Sequence, residues 1–131
     1  MKLVVNYSVG DGFTYCCQCD VPVEYESAEQ LLVDIEDAVT RLLAARKNQR
    51  DRQLAFDEEH GSFAGNRPGK QRDEWFVKYK AFYADNPFPD DRDYMVGGLF
   101  TSHFIEDGKF FAPTIYTVDE WFAAGARGEL V

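Results

Sequence analysis

The stretch 27-SAEQLLVDIEDAVTRLLAARK-47 decides much of the fold of this chain. Its apolar residues recur every three or four positions, which is the spacing of one helix face. Ser27, with Gln30 three residues later, fits a capping box, so the helix is expected to begin directly after Ser27. Acidic residues near the start and basic residues near the end suit the helix dipole. We therefore predict an amphipathic helix over residues 28–47.

Alternating residues before this helix predict an N-terminal β-hairpin. Apolar and polar residues alternate over 2–9 and again over 13–24, which is typical of half-buried strands. Gly10-Asp11-Gly12 lies between the two runs and can supply the positive φ angles of a tight turn. Pro22 has no amide hydrogen to donate, so the second strand is expected at a sheet edge.

The middle of the chain gives weaker patterns. Leu54 and Phe56 alternate with polar neighbours, which predicts a short strand over 52–58, and a glycine-rich loop is expected over 60–70. The aromatic residues of 72–84 fit both a helical face and a strand. Helix is favoured because the lysines of this segment leave the aromatic stripe.

The C-terminal part predicts a second hairpin. The Asp107-Gly108 step favours a tight turn between strands expected near 99–105 and 110–117. The sequence shows no internal repeat, so no repeat architecture is expected.

A second capped helix is predicted at the end of the chain. A capping box that begins at Thr117 predicts a helix over 118–124. Its two aromatic residues, Trp121 and Phe122, are expected to dock on the core because large rings bury much apolar area.

Together these elements predict an α+β fold. We expect a mostly antiparallel sheet built from an N-terminal and a C-terminal hairpin, with one long helix packed on a face and one or two short helices. Residues 1–131 are expected to form a single compact domain, because the length and the 45% hydrophobic content suffice for one core.

The chain is acidic, and its charge restricts the classes of partner. It has 14 basic and 23 acidic side chains and a formal net charge of -9. Direct binding of nucleic acid is disfavoured because phosphates are bound by displacing their counterions with cationic side chains. An anionic membrane surface is disfavoured for the same reason. Basic protein surfaces are the expected partners.

Targeting and cysteine patterns indicate a cytoplasmic protein. No apolar run approaches the roughly 20 residues that span a bilayer, and the first residues turn polar too early for the core of a signal peptide. Cys16, Cys17 and Cys19 are an odd number of cysteines and give no disulfide framework. A reducing compartment is the simplest interpretation.

No residue cluster predicts a metal or cofactor site. A strand turns Cys16 away from Cys17 and Cys19, so the latter two are expected to be small core residues and not zinc ligands. His60 follows three acids but lacks metal-binding spacing. His103 beside a serine is not a triad, since triad partners meet through the fold. We assign no catalytic residue, no metal and no cofactor.

An acidic, aromatic loop is the predicted binding site. Residues 85–93 hold two prolines and four aspartates, a composition that favours an exposed loop. Acids beside exposed rings favour protein recognition, because aromatic side chains anchor interfaces and charges steer approach. A loop that only increases solubility is the alternative. The predicted binding residues are Phe88, Asp90, Asp91, Asp93 and Tyr94.

The function expected from these features is non-enzymatic binding of a basic protein surface. Such a domain can act as an inhibitor or nucleic-acid mimic, for example a phage or mobile-element anti-defence or regulatory factor. The alternative is a small enzyme or ligand-binding domain with a pocket between sheet and helix that uses His60, His103 and nearby acids. Two further alternatives are a nucleic-acid binder that uses basic residues between Arg46 and Arg72, and a homodimer formed through an aromatic edge strand.

Overall fold

The longest element is helix α1, Ala28–His60, which has 33 residues. The computed structural model describes residues 1–10 and 16–128, apart from the side chains of residues 10, 16 and 17. The backbone N–H of Gln30 donates to Ser27 Oγ at 3.0 Å, so the predicted cap and helix start are confirmed. The predicted end at residue 47 is wrong, because the helix continues to His60.

The short strand predicted over 52–58 is also wrong, because these residues continue α1. No glycine or proline interrupts residues 28–60, and these are the residue types that most disfavour a helix. Phe56 is 6% exposed whereas Leu54 is 59% exposed. In a strand two such residues would share a face, but in a helix they point in nearly opposite directions. The apparent alternation is therefore one buried and one exposed helical position.

Three antiparallel strands form the main sheet. Strand β1 is Lys2–Gly10, β2 is Cys16–Glu24 and β7 is Thr114–Thr117, in the order β2-β1-β7. The predicted N-terminal hairpin is confirmed, and Pro22 lies on the edge strand β2 as expected. The predicted turn at Gly10-Asp11-Gly12 falls on residues that lie outside the described part of the chain.

One face of this sheet and one face of α1 form the core of the first part of the molecule. Leu3, Val5 and Val23 alternate onto one sheet face and are at most 5% exposed. The apolar stripe of α1 is fully buried and consists of Leu31, Ile35, Ala38, Val39 and Leu42. Burial of each large aliphatic side chain contributes about 1.5–3 kcal/mol. The predicted α+β class, with a long helix and an antiparallel sheet, is confirmed.

Helix α3, Val118–Ala126, begins where its capping box predicts. Thr117 Oγ1 accepts a hydrogen bond from the backbone N–H of Glu120 at 3.2 Å and donates one to the Glu120 carboxylate at 3.0 Å. Both halves of the motif therefore stabilise the first turn. Ala124 is fully buried, so one side of this short helix packs against the rest of the fold.

The two aromatic residues of α3 have different surroundings. Trp121 is half-buried, and its Nε1 donates to Asp20 Oδ1 at 3.1 Å on the sheet face opposite Val23. Phe122 is 64% exposed, so its predicted docking on the core is wrong. Consecutive residues of a helix with 3.6 residues per turn point about 100° apart, so only one of the two rings faces the sheet.

Residues 91–110 contain a tandem structural repeat of ten residues, although the sequence shows no internal repeat. Each copy is a 3₁₀ turn followed by a two-stranded hairpin. Only Gly98 with Gly108 and Phe100 with Phe110 are identical between the copies, which hides the repeat in the sequence. The first copy comprises Asp91–Tyr94, β3 (Met95–Val96) and β4 (Leu99–Phe100), and the second comprises Thr101–Phe104, β5 (Ile105–Glu106) and β6 (Lys109–Phe110).

The two repeat hairpins close with equivalent turns. Gly97 and Gly98 have φ angles of 57° and 82°, and Asp107 and Gly108 have 51° and 73°. Positive φ at both central residues is the type I′ turn that favours hairpins. The predicted Asp107-Gly108 turn is confirmed, but the strand predicted over 99–105 is interrupted by the second 3₁₀ turn.

The repeat hairpins pack on the same sheet face as α1. The ring of Phe104, which is 1% exposed, lies edge-on to Tyr7 with the centroids 5.0 Å apart. A Cβ atom on Gly97 would lie 2.9 Å from Val23 Cγ1 and 3.6 Å from Leu31 Cδ1. The core between sheet and helix is thus extended by residues that come late in the sequence.

The chain divides into two compact units. Unit 1 comprises Met1–Leu42 and Asp91–Val131, and unit 2 comprises Leu43–Asp90. Unit 1 contains the main sheet, α1 up to Leu42, the repeat and α3. The expectation of a single domain over 1–131 stays a prediction.

Unit 2 is a pair of helices joined by a loop. Helix α2, Lys70–Asp85, confirms the helix favoured over 72–84. Trp75 is 6% exposed, and its Nε1 donates to the carbonyl oxygen of Gly61 at 2.6 Å. Phe56, from the C-terminal part of α1, has ring centroids of Trp75 and Phe82 at 6.0 and 4.9 Å. Aromatic packing therefore holds the two helices together.

Candidate functional site

The acidity of the protein belongs to one of the two units. Unit 1 contains 5 basic and 15 acidic residues and has a net charge of -10, whereas unit 2 contains 9 basic and 8 acidic residues and has a net charge of +1. A surface of one charge sign raises the local concentration of oppositely charged partners. Unit 1 therefore carries all of the excess negative charge of the chain.

Most carboxylates of unit 1 lack a compensating cation. Glu24 pairs with the N-terminal amine at 3.2 Å, and Asp37 pairs with Arg41 Nε at 3.1 Å. Nine exposed carboxylates of unit 1 have no ion-pair partner among the residues that the structure describes: Asp20, Glu26, Glu29, Glu36, Asp93, Glu106, Asp107, Asp119 and Glu120.

Two of these carboxylates lie on the solvent-facing side of α1, and a third lies just before the helix begins. Glu29 and Glu36 are seven residues apart, with Val33 between them, so all three share one helix face. Val33 is 59% exposed, and Glu26 directly precedes the cap. We call Glu26, Glu29, Val33 and Glu36 the acidic stripe. It combines uncompensated charge with an exposed apolar residue at its centre.

A shallow groove lies beside the acidic stripe. It is lined by Met1, Glu24, Tyr25, Glu26, Gln30 and Asp34. The hydroxyl of Tyr25 donates a hydrogen bond to Asp34 Oδ2, which raises the pKa of Tyr25 to about 12. Tyr25 is therefore neutral at physiological pH and fixes the position of Asp34. Gln30 Nε2 donates to Asp34 Oδ1 at 2.8 Å, so both oxygens of this carboxylate are bound.

The five residues of the predicted binding loop are divided between the units. Phe88 and Asp90 belong to unit 2, and Asp91, Asp93 and Tyr94 belong to the first 3₁₀ turn of unit 1. Asp93 is exposed and is one of the uncompensated carboxylates, whereas Asp91 is half-buried. The role of these residues in binding stays a prediction.

Tyr94 contributes to the packing of unit 1. Its ring lies 5.8 Å from the Arg41 guanidinium, and its carbonyl oxygen accepts a hydrogen bond from Thr101 Oγ1 at 2.7 Å. Thr101 is fully buried, so this bond joins the two copies of the repeat in the interior. No sequence signal indicates this structural role, because the two copies of the repeat share only two identical residues.

Phe88 is the end of a series of exposed rings in unit 2. Its side chain is 58% exposed, and its ring centroid lies 5.4 Å from that of Tyr83. Phe63 and Phe76 are each 48% exposed and lie 5.6 Å apart. The sequence pattern of 72–84 predicts a helical face of rings and does not distinguish these exposed rings from the buried one at Trp75. Helical periodicity could have separated the two faces, since Trp75 and Phe76 are neighbours in sequence.

The histidines of the alternative enzyme site lie in different units. His60, in unit 2, has its ring centroid 4.7 Å from that of Phe56, and its Nε2 is 3.8 Å from Glu59 Oε1. His103, in unit 1, stacks on Tyr7 with the centroids 5.7 Å apart. Each of the two imidazole rings therefore packs against an aromatic ring of its own unit.

The cysteines lie on β2. Cys19 is half-buried, and burial together with Cys19 raises the pKa of its cross-strand neighbour Tyr7. The predictions for the side chains of Cys16 and Cys17 fall outside the described residues. Within residues 1–10 and 16–128, no three His, Cys, Asp or Glu side chains are placed to hold a metal ion.

In the part of the chain that the structure describes, no helix is both long enough and apolar enough to cross a bilayer. Comparison of the chain with known protein families, with curated proteins and with solved structures finds no match.

Proposed function

We propose that unit 1 is a non-enzymatic binding module for a basic protein surface. The observation that carries the proposal is the division of charge, with -10 on unit 1 and +1 on unit 2. The division arises from the basic residues, because only 5 of them offset the 15 acids of unit 1 whereas 9 offset the 8 acids of unit 2. A concentrated negative field steers a basic partner toward this unit and fixes its orientation.

The acidic stripe is the part of unit 1 best suited to close contact. Its three carboxylates have no cation beside them among the described residues, so pairing with a partner's Lys or Arg breaks no ion pair. Val33, at 59% exposure, offers apolar area to bury at the centre. Interfaces commonly surround apolar contacts with charges that set specificity. Asp93 adds a further free carboxylate in the same unit.

The class of partner that fits this charge is a protein that binds DNA or RNA. Such proteins carry Lys and Arg to displace phosphate counterions. Carboxylates can occupy the same cationic groove, and the protein would then inhibit by competing with nucleic acid. Phage and mobile-element factors that block host defence or regulate host enzymes are examples of this mode of action.

The proposal is tested by affinity capture with variants matched in charge. The test variant, E26Q/E29Q/E36Q, removes three charges from the acidic stripe, and the control, E58Q/E59Q/E74Q, removes three exposed charges from unit 2. Proteins captured from a lysate by each bait are compared by quantitative mass spectrometry at about 0.05 and about 0.5 M NaCl, where the Debye lengths differ about threefold.

The proposal expects a basic, nucleic-acid-binding protein that the wild type and the control capture at low salt. The test variant loses it, and added DNA or RNA displaces it. Capture that is equal for both variants and at both salt concentrations contradicts electrostatic recognition by unit 1.

A further inference from the structure

The solvent-facing side of α2 is an apolar surface flanked by opposite charges. Phe76 and Val77 lie at its centre and are 48% and 73% exposed. Val77 is the most exposed large apolar residue of those described. Asp73 and Lys80 lie on the same face, one turn to either side, and both are exposed. We call Asp73, Phe76, Val77 and Lys80 the α2 face.

The charges of the α2 face are symmetric about its apolar centre. Asp73 and Lys80 are seven residues apart, about 10.5 Å along the helix axis, and the midpoint lies between Phe76 and Val77. A two-fold axis through that midpoint, perpendicular to α2, would place Asp73 of one copy opposite Lys80 of the other. It would do so twice, because an isologous interface repeats each contact.

We propose that a second copy of this chain docks antiparallel on the α2 face. Phe76 and Val77 of the two copies bury one another at the axis, and two Asp73–Lys80 ion pairs close the interface on either side. Neither Asp73 nor Lys80 has an ion-pair partner among the described residues, so both are available for the contact. By contrast, Lys70 and Glu74, on a flank of the same helix, lie 4.0 Å apart within the chain.

A second copy fits this surface better than a strongly charged partner does. Unit 2 has a net charge of +1, so it presents no field of one sign to a nucleic acid or an acidic protein. When two copies of the α2 face lie antiparallel, the acid of each copy is opposite the base of the other, and the two apolar pairs meet at the centre. The exposed rings of Tyr83 and Phe63 border the face and can enlarge the buried area. One helix face is a small interface, so the dimer is expected to be weak and concentration-dependent.

A charge swap tests the pairing directly. Sedimentation velocity over a concentration series gives the dimer dissociation constant of the full chain. K80D places like charges opposite each other at both ends of the interface, and D73K does the same with cations. Each single variant is expected to weaken the dimer at least about tenfold, and D73K/K80D is expected to restore it to within about threefold of wild type.

A second pair of variants keeps the test decisive if charges contribute little. V77D puts a carboxylate at the apolar centre and is expected to give a monomer, while L54D, at an apolar position of α1 that is 59% exposed, leaves the dimer constant unchanged. Far-UV circular dichroism establishes that each variant is folded. A wild type that is monomeric at all concentrations overturns the proposal, as does a dimer that V77D leaves intact. Single variants without rescue by the double swap also overturn it, because they show that Asp73 and Lys80 do not meet.

Discussion

Gly97 is a position where backbone and packing both require glycine. Its φ of 57° lies in the left-handed region, and an added Cβ would come within 2.9 Å of Val23 Cγ1 in the core. Gly98, the other central residue of the same turn, has a φ of 82° but has no neighbour within 4 Å of such a Cβ. A side chain at either position would therefore be conformationally strained, but only a side chain at Gly97 would also overpack the core.

Gly97→Ala is expected to destabilise the protein more than Gly98→Ala does. Both substitutions introduce a left-handed alanine, which costs about 1–2 kcal/mol, and Gly97→Ala adds overpacking of about 1–3 kcal/mol. Urea unfolding followed by circular dichroism gives both values. Equal losses for the two variants would show that the first repeat hairpin does not press on Val23.

Tyr25 makes stability depend on pH in the alkaline range. Its pKa is raised from 10.0 to about 12 by the hydrogen bond to Asp34, so the folded state holds the proton more tightly than the unfolded state does. Its contribution is fully present below pH about 10 and is lost as the pH rises from about 10 toward 12. At pH 7, Y25F is expected to cost about 1 kcal/mol.

The pH dependence is measured by denaturant unfolding of wild type and Y25F between pH 8 and the alkaline limit of folding. The difference in unfolding free energy between them should be constant at first and shrink above pH about 10. D34N provides the control, because it should lower the Tyr25 pKa toward its ordinary value in a tyrosinate absorbance titration. A Tyr25 that titrates identically with and without the Asp34 carboxylate would disprove the assigned bond.

At the scale of elements, local signals predict where helices begin better than where they end. Ser27 and Thr117 both cap as predicted, because a capping box satisfies backbone donors within four residues. The C-terminal part of α1 includes Phe56, which is 6% exposed because its ring packs against Trp75 and Phe82, far away in the sequence. The repeat of residues 91–110 was missed for a similar reason, since turn geometry recurs there with almost no residue identity.

The helical conformation of residues 52–58 is tested by two alanine substitutions. Phe56→Ala removes a ring that contacts Trp75 and Phe82 and is expected to cost about 3–5 kcal/mol. Leu54→Ala, at a position 59% exposed, should change stability by less than about 0.5 kcal/mol. In a strand the two residues would share a face, so losses of similar size in thermal or urea unfolding would contradict the helix.

At the scale of the whole molecule, the sequence predicted the sign of the charge and a cluster of basic residues between Arg46 and Arg72, and that cluster lies in unit 2. The sequence placed the binding site in the loop 88–94, where acids and rings are dense. The structure assigns Phe88 and Asp90 to unit 2 and Asp93 to unit 1, and it gives Tyr94 a packing role that linear density does not reveal. Glu29, Val33 and Glu36 are dispersed in sequence and share a helix face only once α1 is folded.

Recognition of a partner by unit 1 is proposed to depend on its uncompensated carboxylates. The most direct measurement is the dissociation constant of the captured partner as a function of salt, by isothermal titration calorimetry, for wild type and E26Q/E29Q/E36Q. Wild-type binding is expected to weaken more than about tenfold between about 0.05 and about 0.5 M NaCl, and the triple variant is expected to bind more weakly with a shallower salt dependence. A wild-type dissociation constant that salt leaves unchanged would contradict this proposal.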